Sequence, residues 1–292
     1  MGVRLNPKKI LLTGATGQVG WELSRALAPL GGLITPDSTE FNLAEPESLR
    51  KNIREWKPDI IVNPAAYTAV DQAEREHDLA FRVNADSPKV LAEEAERLNI
   101  PMIHYSTDYV FDGEKGEPYR ESDETRPLNI YGESKLQGEM AIQNIVEQHI
   151  ILRTSWIYSL RGSNFLTTML RLFKEKDEIS VVNDQIGAPT WSRMVAEVTS
   201  IIMSQLHQKE NGWGLYHLSA SGESSWYHFV KEIKRVEDEK RKFSINAISS
   251  EQYVTAAIRP KNSLLNSRKL SQQWNVKLPG WDVSLKQCLE SL

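Results

Sequence analysis

The chain has 292 residues, of which 40% are hydrophobic and 25% are charged, and its formal net charge is −4. This composition is typical of a globular protein of one large or two moderate domains, and the acidic balance argues against a nucleic-acid partner, which would require a basic face. The single cysteine, Cys288, cannot form an intramolecular disulfide. No segment has the apolar length of a signal peptide or a membrane span, so we expect a cytoplasmic protein without a membrane partner.

Short apolar runs alternate with longer amphipathic segments through the first half of the chain, which is typical of βαβ units around a parallel sheet. The predicted strands are residues 9–13, 33–36, 59–63, 101–106 and 149–154. The predicted helices between them are residues 18–28, 45–56, 78–98 and 131–148.

The pattern changes beyond about residue 155. The later predicted elements are loops and short strands at 155–161 and 179–189, a buried strand at 214–220, a polar helix at 223–239, and a loop at 259–266 before a short terminal helix. The sequence therefore predicts an α/β fold, a Rossmann-type doubly wound parallel sheet with a smaller interleaved C-terminal α/β lobe. The expected division is residues 1–155 and 156–292, with one strand returning to the first part near 214–220.

A glycine-rich turn follows the first predicted strand. Gly14, Gly17 and Gly20 lie in the run TGATGQVG, directly before a predicted helix. Glycines at such a turn let the backbone approach a pyrophosphate, and the helix directs free amides and the positive end of its dipole toward the phosphates. The spacing is G-x-x-G-x-x-G rather than G-x-G-x-x-G, but the position at the first strand-to-helix junction favours a dinucleotide site over a tight turn without ligand.

Asp37 follows the weak second strand. An acid at this place usually accepts hydrogen bonds from the adenosine ribose and disfavours a 2′-phosphate. An aspartate in the run PDST is explained equally well as a turn or N-cap residue. Both interpretations stay open, so the sequence does not decide between NADH and NADPH.

Tyr131 and Lys135 lie in the run YGESK at the start of a predicted helix. A spacing of four residues places both side chains on one helix face. A tyrosine that donates a proton at neutral pH needs its pKa lowered from about 10, and a neighbouring ammonium stabilises the phenolate. The alternative is a surface helix with a solvated lysine.

Hydroxyl groups end the strand that contains PMIHYST. Ser106 and Thr107 lie at its carboxyl end, the edge of an open parallel sheet at which ligands collect. A hydroxyl there can donate to a carbonyl oxygen that gains negative charge during reduction. The glycine turn, the strand-end hydroxyl and the Tyr–Lys pair together predict a nicotinamide-dependent reductase.

With these motifs, the chain resembles the extended short-chain dehydrogenases and, most closely among them, the bacterial dTDP-4-dehydrorhamnose reductases. The matching segments are TGATGQVGWEL, NPAAYTAVDQAE, YSTDYVFDG, PLNIYGESKLQGE, LRTSWIYS, NFLTTMLRL, NDQIGAPT and IRPKNSLLN. They run from the first strand to the last loop, and STDYVFDG and NDQIGAPT are far more specific than the glycine turn. The resemblance implies reduction of a dTDP-4-keto-sugar by NADPH or NADH, the last step of dTDP-rhamnose synthesis for cell-surface polysaccharide.

The resemblance also implies roles for individual residues. Tyr131 would be the proton donor, Lys135 the partner that tunes its pKa, and Thr107 the third catalytic hydroxyl. The residues implied at the cofactor, together with Tyr131 and Lys135, are Gly14, Thr16, Gly17, Gln18, Val19, Asp37, Asn42, Leu43, Ala65, Ala66, Tyr67, Asn84 and Ser106. The first part of the chain would thus be mainly the NAD(P)-binding domain.

The second part would be mainly the sugar-nucleotide lobe. The residues implied on the substrate side, together with Thr107, are Asp108, Tyr109, Trp156, Asn164, Gln185, Arg259 and Asn262. Arg259 would pair with the diphosphate. Trp156 would either lay a flat apolar face against the deoxysugar or pack in the core.

One departure from the resemblance is Asn42, where relatives commonly carry an aspartate that contacts adenine. The asparagine oxygen can still accept from the adenine amino group. Family members also form homodimers with Mg²⁺ at the interface. The six histidines show no ligand spacing, so the residues themselves predict no metal site, and a carboxylate-only site between two copies is not visible in one sequence.

Two rival interpretations remain. The first is another enzyme on the same scaffold, either a reductase or epimerase of a related 4-keto-6-deoxy sugar nucleotide or a dehydratase. An epimerase would retain its cofactor through the cycle, whereas a reductase exchanges it at each turnover, and a dehydratase would want Asp-Glu after the threonine, where this chain has Asp108 and Tyr109. A regulatory subunit would bind a dinucleotide without chemistry, and it would not need the Tyr–Lys pair that this chain keeps.

Overall fold

The computed structural model describes residues 8–206, 212–236 and 243–291. Its strands are β1 (Lys8–Leu12), β2 (Gly31–Ile34), β3 (Ile60–Asn63), β4 (Met102–Thr107), β5 (His149–Thr154), β6 (Ile157–Tyr158), β7 (Glu178–Val182), β8 (Ile186–Gly187), β9 (Thr190–Trp191), β10 (Gly214–His217), β11 (Ser224–Ser225) and β12 (Ser244–Ile248). Its α-helices are α1 (Gln18–Ala26), α2 (Pro46–Trp56), α3 (Val70–Ala73), α4 (His77–Phe81), α5 (Ser87–Leu98), α6 (Ile130–Ile145), α7 (Phe165–Glu175), α8 (Ser192–Gln205), α9 (Trp226–Val236), α10 (Arg268–Trp274) and α11 (Trp281–Leu289).

The central sheet has six parallel strands in the order β10-β5-β4-β3-β1-β2. The register aligns Leu11 with Ile61 and Ile61 with Met102, so apolar side chains continue across the strands. The chain moves outward from β1 to β2 and then returns past β1 to β3. This reversal between β1 and β3 is a topological switch point, and ligands bind there beyond the carboxyl ends of the strands.

Helices cover both faces of the sheet, as expected for buried parallel strands. On one face, Ile10 and Leu12 pack against α1, α8 and α10 in one apolar cluster. On the other face, Leu11 and Ile61 pack against α2, α5 and α6. The successive residues of β1 therefore point to opposite faces, and both faces are apolar, which confirms the predicted doubly wound α/β class.

A separate apolar cluster lies in the C-terminal part of the chain. There α7, α9 and α11 pack around Tyr158, Val181 and Trp191, and the cluster includes the buried thiol of Cys288. Short strand pairs join these helices: β12 with β7, β8 with β11, and β6 with β9. β10 lies outside this cluster and completes the main sheet beside β5. The division of the chain near residue 155 stays a prediction. In the described part of the chain, no helix is long and apolar enough to cross a membrane.

The helix predicted at 78–98 is interrupted. The structure has α4, then a π-helical turn at Arg82–Asp86, then α5. Pro88 lacks the amide that would donate to the carbonyl of Asn84 in a regular α-helix. The carbonyl of Asn84 instead approaches α6, where a Cβ on Gly138 would lie only 2.1 Å from it.

Other predicted elements also differ at their ends, and the helix predicted at 131–148 already ends at Ile145. The strand predicted at 33–36 is β2 at Gly31–Ile34, since Pro36 has no amide for the ladder. The strand predicted at 214–220 ends at His217. The helix predicted at 223–239 begins at Trp226, because Ser224–Ser225 pairs as β11 with β8, and residues 237–239 of that prediction lie outside the described residues.

A buried ion pair fastens α6 to the sheet. Arg153 on β5 donates to both carboxylate oxygens of Glu139 on α6, at 2.8 and 2.6 Å. Both side chains are almost fully buried. A charge left alone in such a place is strongly destabilising, because water no longer solvates it.

We therefore predict that Glu139→Gln lowers the free energy of unfolding by about 3 kcal/mol, since it leaves the buried guanidinium without its countercharge. The measurement is urea unfolding followed by circular dichroism. The matched control is Glu175→Gln, which removes an exposed partner of Arg171 and should cost less than about 1 kcal/mol. Equal losses in the two variants would contradict the assigned role of the buried pair.

Candidate active site

The glycine turn lies between β1 and α1 at the switch point of the sheet. Gly14 has φ +57°, and a Cβ there would come within 2.9 Å of the Cβ of Ala65. Gly17 is the N-cap of α1 and supplies no side-chain cap. The first-turn amides of α1 are therefore available to an external acceptor. Thr16, Gln18 and Val19 lie in the same turn, and Gln18 Oε1 accepts from Ser159 Oγ at 3.0 Å.

The segment after β3 borders the same turn. Ala65 contacts Gly14, as described, and Ala66 and Tyr67 follow it. Asn84 holds this segment, because its amide accepts from the backbone nitrogen of Tyr67 at 2.9 Å and donates to the carbonyl of Tyr67 at 3.0 Å. The same amide donates to Ser134 Oγ on α6. Asn84 therefore joins the segment to the helix that contains Tyr131.

The segment after β2 carries the side chains predicted near the adenosine. Asp37 accepts hydrogen bonds from the backbone and hydroxyl of Thr39 and from the backbone of Glu40, and these bonds lower its pKa. It is thus a turn residue, with its side chain exposed. Asn42 caps the next turn through the backbone nitrogen of Ala44, and Leu43 packs partly into the core.

The two hydroxyl groups predicted at the reaction centre lie together. Thr107 ends β4, Tyr131 lies in the first turn of α6, and the Thr107 hydroxyl is near enough to Tyr131 to lower its pKa. Burial raises the pKa of Tyr131 to about 12, opposed by the Thr107 hydroxyl and reinforced by the charge of Asp108. The pKa of Tyr131 is therefore raised and not lowered as predicted, because burial outweighs the neighbouring hydroxyl and the polar contacts of Lys135 are with residues of β4. The phenol is protonated at neutral pH.

Asp108 lies beneath this pair. Its Oδ1 accepts from Thr107 Oγ1 at 3.1 Å, and Ser263 also bonds to the carboxylate. Burial raises the pKa of Asp108 to about 6. Tyr109 continues the segment, and its ring packs edge-on against Tyr131 with centroids 5.5 Å apart. Ser106, one residue before Thr107, is also buried, and its hydroxyl has no protein partner within the described ranges.

Lys135 is buried one helical turn after Tyr131. Its ammonium donates to the carbonyl of Tyr105 at 2.6 Å and lies 3.2 Å from His104 Nε2. Burial lowers the pKa of Lys135 to about 8, and Glu139 on the same helix partly offsets this effect. Tyr131 and Lys135 thus lie on one helix at one site, as their spacing predicts. The polar contacts of Lys135 are with His104 and Tyr105 of β4.

A cavity of about 780 Å³ is lined by residues from the C-terminal part of the chain. Gln185 and Arg259 line it, with apolar walls from α7 and β7. Arg259 makes a bidentate pair with Asp71, at 2.6 and 3.1 Å. Its guanidinium also partly offsets the rise that burial produces in the pKa of Tyr109. Arg259 therefore lines the cavity and is near enough to Tyr109 to influence its pKa.

Three residues predicted on the substrate side have structural partners. The indole of Trp156 stacks on Trp226 with centroids 3.6 Å apart, so one of its flat faces is covered by a second ring rather than open to a sugar. Asn164 is the N-cap of α7 in a capping box with Thr167. The amide of Asn262 donates to the carbonyls of Lys115 and Glu117 and accepts from the backbone of Leu264.

Several polar residues of this region were not predicted as site residues from the sequence. They are Thr13, Asn63 and His104 on the strands, Asp71 beside Arg259, and Ser263 beside Asp108. Asn63 is the polar residue that ends the apolar strand IIVN, and His104 follows the apolar start of MIHYST. That signal alone indicates a buried hydrogen-bonding partner, although not which one.

The site fits a nicotinamide dinucleotide. The side-chain-free turn at Gly14–Gly17 and the uncapped amides of α1 suit a pyrophosphate, and buried hydroxyls follow β4 at the same sheet edge. The residues that would hold the dinucleotide lie on the β1–α1 turn, the segments after β2 and β3, and α6.

Comparison with known proteins agrees with this geometry. The RmlD substrate binding domain family matches residues 8–292. The dTDP-4-dehydrorhamnose reductase of Escherichia coli K12 is 47% identical, with 97% of each chain covered. The crystal structure of dTDP-4-dehydrorhamnose reductase from Bacillus anthracis in complex with NADP is 34% identical, covers 98% of this chain and all of that chain, and superposes with a TM-score of 0.90. A dTDP-4-dehydrorhamnose reductase structure from Clostridium acetobutylicum is 35% identical, covers 97% of this chain and 99% of that chain, and has a TM-score of 0.89.

The match extends from β1 to the C-terminal helix and includes the turn, the hydroxyl pair and the lobe that forms the cavity. The chain therefore belongs to the dTDP-4-dehydrorhamnose reductase family.

Proposed function

We propose that this protein reduces the 4-keto group of dTDP-4-dehydro-β-L-rhamnose to give dTDP-β-L-rhamnose, with NADPH or NADH as the reductant. This is the last step of dTDP-rhamnose synthesis for cell-surface polysaccharide. The observation that carries the proposal is that the buried side chains of Thr107, Tyr131 and Lys135 meet at one site, in a chain that shares its family with known reductases of this sugar nucleotide.

In this mechanism the keto oxygen lies between Thr107 and Tyr131. The Thr107 hydroxyl donates to the oxygen as negative charge develops, which stabilises the transition state. Tyr131, which is protonated at neutral pH, transfers its proton to that oxygen. The ammonium of Lys135 stabilises the resulting phenolate. The reduced nicotinamide, when bound, supplies the hydride that carbon 4 receives.

The C-terminal lobe would bind the nucleotide. Arg259 carries a planar guanidinium suited to a diphosphate, and Asp71 holds it in a defined orientation. The apolar walls of the cavity, including Met169 and Leu172, would enclose the thymine ring. We also propose that Gln185 bonds to a polar group of the nucleotide, since it is buried at the cavity wall.

The cytoplasmic location, the homodimer and an interfacial Mg²⁺ stay predictions. So does the preference between the two cofactors. Asp37 uses one carboxylate oxygen, Oδ1, for its own turn, and its exposed side chain suits a ribose hydroxyl as well as a structural role.

The direct test is the loss of reduced-nicotinamide absorbance when dTDP-4-dehydrorhamnose is added to the protein with NADPH or with NADH. We expect stoichiometric oxidation of at least one cofactor, and the ratio of the two kcat/KM values gives the preference. The control is the same assay without the sugar nucleotide. If neither cofactor is oxidised by protein that binds NADPH, the catalytic proposal fails and the regulatory interpretation gains support.

Tyr131→Phe removes the proton donor and keeps the ring. We expect kcat to fall by about 10²- to 10⁴-fold, the usual contribution of a general acid, with NADPH affinity by fluorescence titration nearly unchanged. Tyr227→Phe, on α9 away from the hydroxyl pair, is the matched control and should retain full activity. Wild-type activity in the first variant would exclude Tyr131 as the acid.

Arg259→Lys tests the diphosphate contact. A lysine keeps the charge but not the fork of donors, so we expect KM for the sugar nucleotide to rise by roughly tenfold or more, which corresponds to about 1.5 kcal/mol, with a small change in kcat. Arg171→Lys on the exposed face of α7 provides the control. An unchanged KM would remove Arg259 from the binding site.

A further inference from the structure

A chain of buried polar side chains crosses the sheet behind the reaction centre. Lys135 Nζ lies 3.2 Å from His104 Nε2, and His104 Nδ1 lies 3.0 Å from the amide nitrogen of Asn63. Asn63 Oδ1 in turn accepts from the hydroxyl of Thr13 at 2.6 Å. None of the four residues is more than 2% exposed. The chain connects α6 with β4, β3 and β1 in that order.

The far end of this chain lies at the glycine turn. Thr13 is the residue before Gly14, and its hydroxyl accepts from the backbone nitrogen of Ala65 at 3.3 Å. Ala65 is the residue whose Cβ lies against Gly14. The hydrogen-bonded chain therefore runs from the lysine of the reaction centre to the segment where the dinucleotide phosphates would bind.

The charged groups around the chain come from three elements. On α6, Lys135 faces Glu139 one turn later, and Tyr131 lies one turn earlier. On β5, Arg153 neutralises Glu139. On β4, burial lowers the pKa of His104 well below its usual value, and the charge of Lys135 lowers it further. The imidazole is therefore neutral, with one N–H group and one lone pair.

A neutral imidazole in this position allows two proton arrangements. When Lys135 is an amine, Thr13 donates to the Asn63 oxygen, the Asn63 amide donates to His104 Nδ1, and His104 Nε2–H donates to Nζ. When Lys135 is an ammonium, Nζ donates to Nε2, Nδ1–H donates to the Asn63 oxygen after the amide turns over, and the amide donates to Thr13. In both arrangements the two ring nitrogens of His104 and the Asn63 oxygen have a partner within the chain, whereas the second arrangement releases the Thr13 hydroxyl proton at the end beside the glycine turn.

We propose that His104 is a positioning residue for Lys135, and that the chain His104–Asn63–Thr13 lets the lysine alternate between ammonium and amine by reversing its hydrogen bonds. The imidazole changes tautomer and never carries a charge. This inference rests on the proposed reductase function, since it concerns the lysine that stabilises the Tyr131 phenolate. It explains why two polar residues are buried on β3 and β4.

The first test is nitrogen-15 NMR of the full-length protein labelled at its six histidines. The His104 signals are those missing from His104→Gln, and His149→Gln, at the start of β5, serves as the matched control for assignment. We expect a neutral ring on both sides of the Lys135 pKa of about 8, with Nδ1–H below it and Nε2–H above it. An imidazolium at either pH, or one unchanged tautomer, would overturn the proposal.

The second test is the pH dependence of kcat. Reduction needs the ammonium, so kcat should fall as pH rises through the pKa of Lys135. His104→Leu removes an acceptor of the ammonium, so the fall of kcat should occur at a pH lower by about one unit. His104→Gln keeps an acceptor, so the fall should return to its wild-type pH. His149→Leu should leave the fall at its wild-type pH. A uniform loss of kcat at every pH would indicate a merely structural histidine.

The two tests separate this inference from the proposed function. If wild-type protein oxidises NADPH with the keto-sugar but His104 keeps one tautomer, the proposed reductase function is supported and the proposed reversal of hydrogen bonds is contradicted. If the protein shows no turnover while the tautomer of His104 changes, the reversal of hydrogen bonds is supported and the proposed reductase function is contradicted. If His104→Leu does not fold by circular dichroism, the labelled wild-type protein and His104→Gln still decide the question.

Discussion

The position of α6 is the constraint on which the site depends. Four contacts define it: the Asn129 cap on the backbone of Gly132, the Ser134 contact with Asn84, the close approach of Gly138 to the π-helical turn, and the buried pair of Glu139 with Arg153. Tyr131 and Lys135 lie within this stretch, so neither can move relative to β4 without breaking at least one of the four. The charged pair is therefore part of the catalytic geometry as well as of stability, since it also brings Glu139 close enough to raise the pKa of Lys135 against the effect of burial.

Much of this arrangement was predictable from the sequence because it is local. The strand-to-helix glycine turn, the hydroxyls that end β4 and the four-residue spacing of Tyr131 and Lys135 each occupy a short run. Parallel strands bring their carboxyl ends to one edge, so three short runs define one site. The apolar periodicity likewise indicated the five strands of the first half and the later return of β10. The errors lay at element ends, at the interruption before Pro88, where the missing amide decides the break, and in α7 and α8, which were not predicted.

The contacts that the sequence did not indicate are long-range. Arg259 and Asp71 are 188 residues apart, and Asn262 bonds to the carbonyls of Lys115 and Glu117, which are 147 and 145 residues away. Trp156 was a candidate for sugar binding because an indole suits a deoxysugar, but its ring stacks on Trp226, which no local pattern relates to it. Asn63 and His104 are visible as polar residues beside apolar strand runs. Their partnership requires the strand order, because β3 and β4 are neighbours with Asn63 and His104 in register.

These long-range contacts also connect the two halves of the site. The backbone nitrogen of Ala257 donates to Asp71, and the carbonyl of Ile258 accepts from the amide of Asn129. The segment 257–259 is thus bonded to the N-cap of the helix that begins just before Tyr131, and it also presents Arg259 to the nucleotide cavity. A shift of this segment on diphosphate binding would be transmitted through one side chain, Asn129, to the first turn of α6. Because binding energy is most useful when it orders the groups that react, the interleaving of the C-terminal lobe with the sheet has a physical rationale: the bond between Asn129 and Ile258 joins the proposed diphosphate contact at Arg259 to the N-cap of the helix that carries Tyr131, the proposed proton donor.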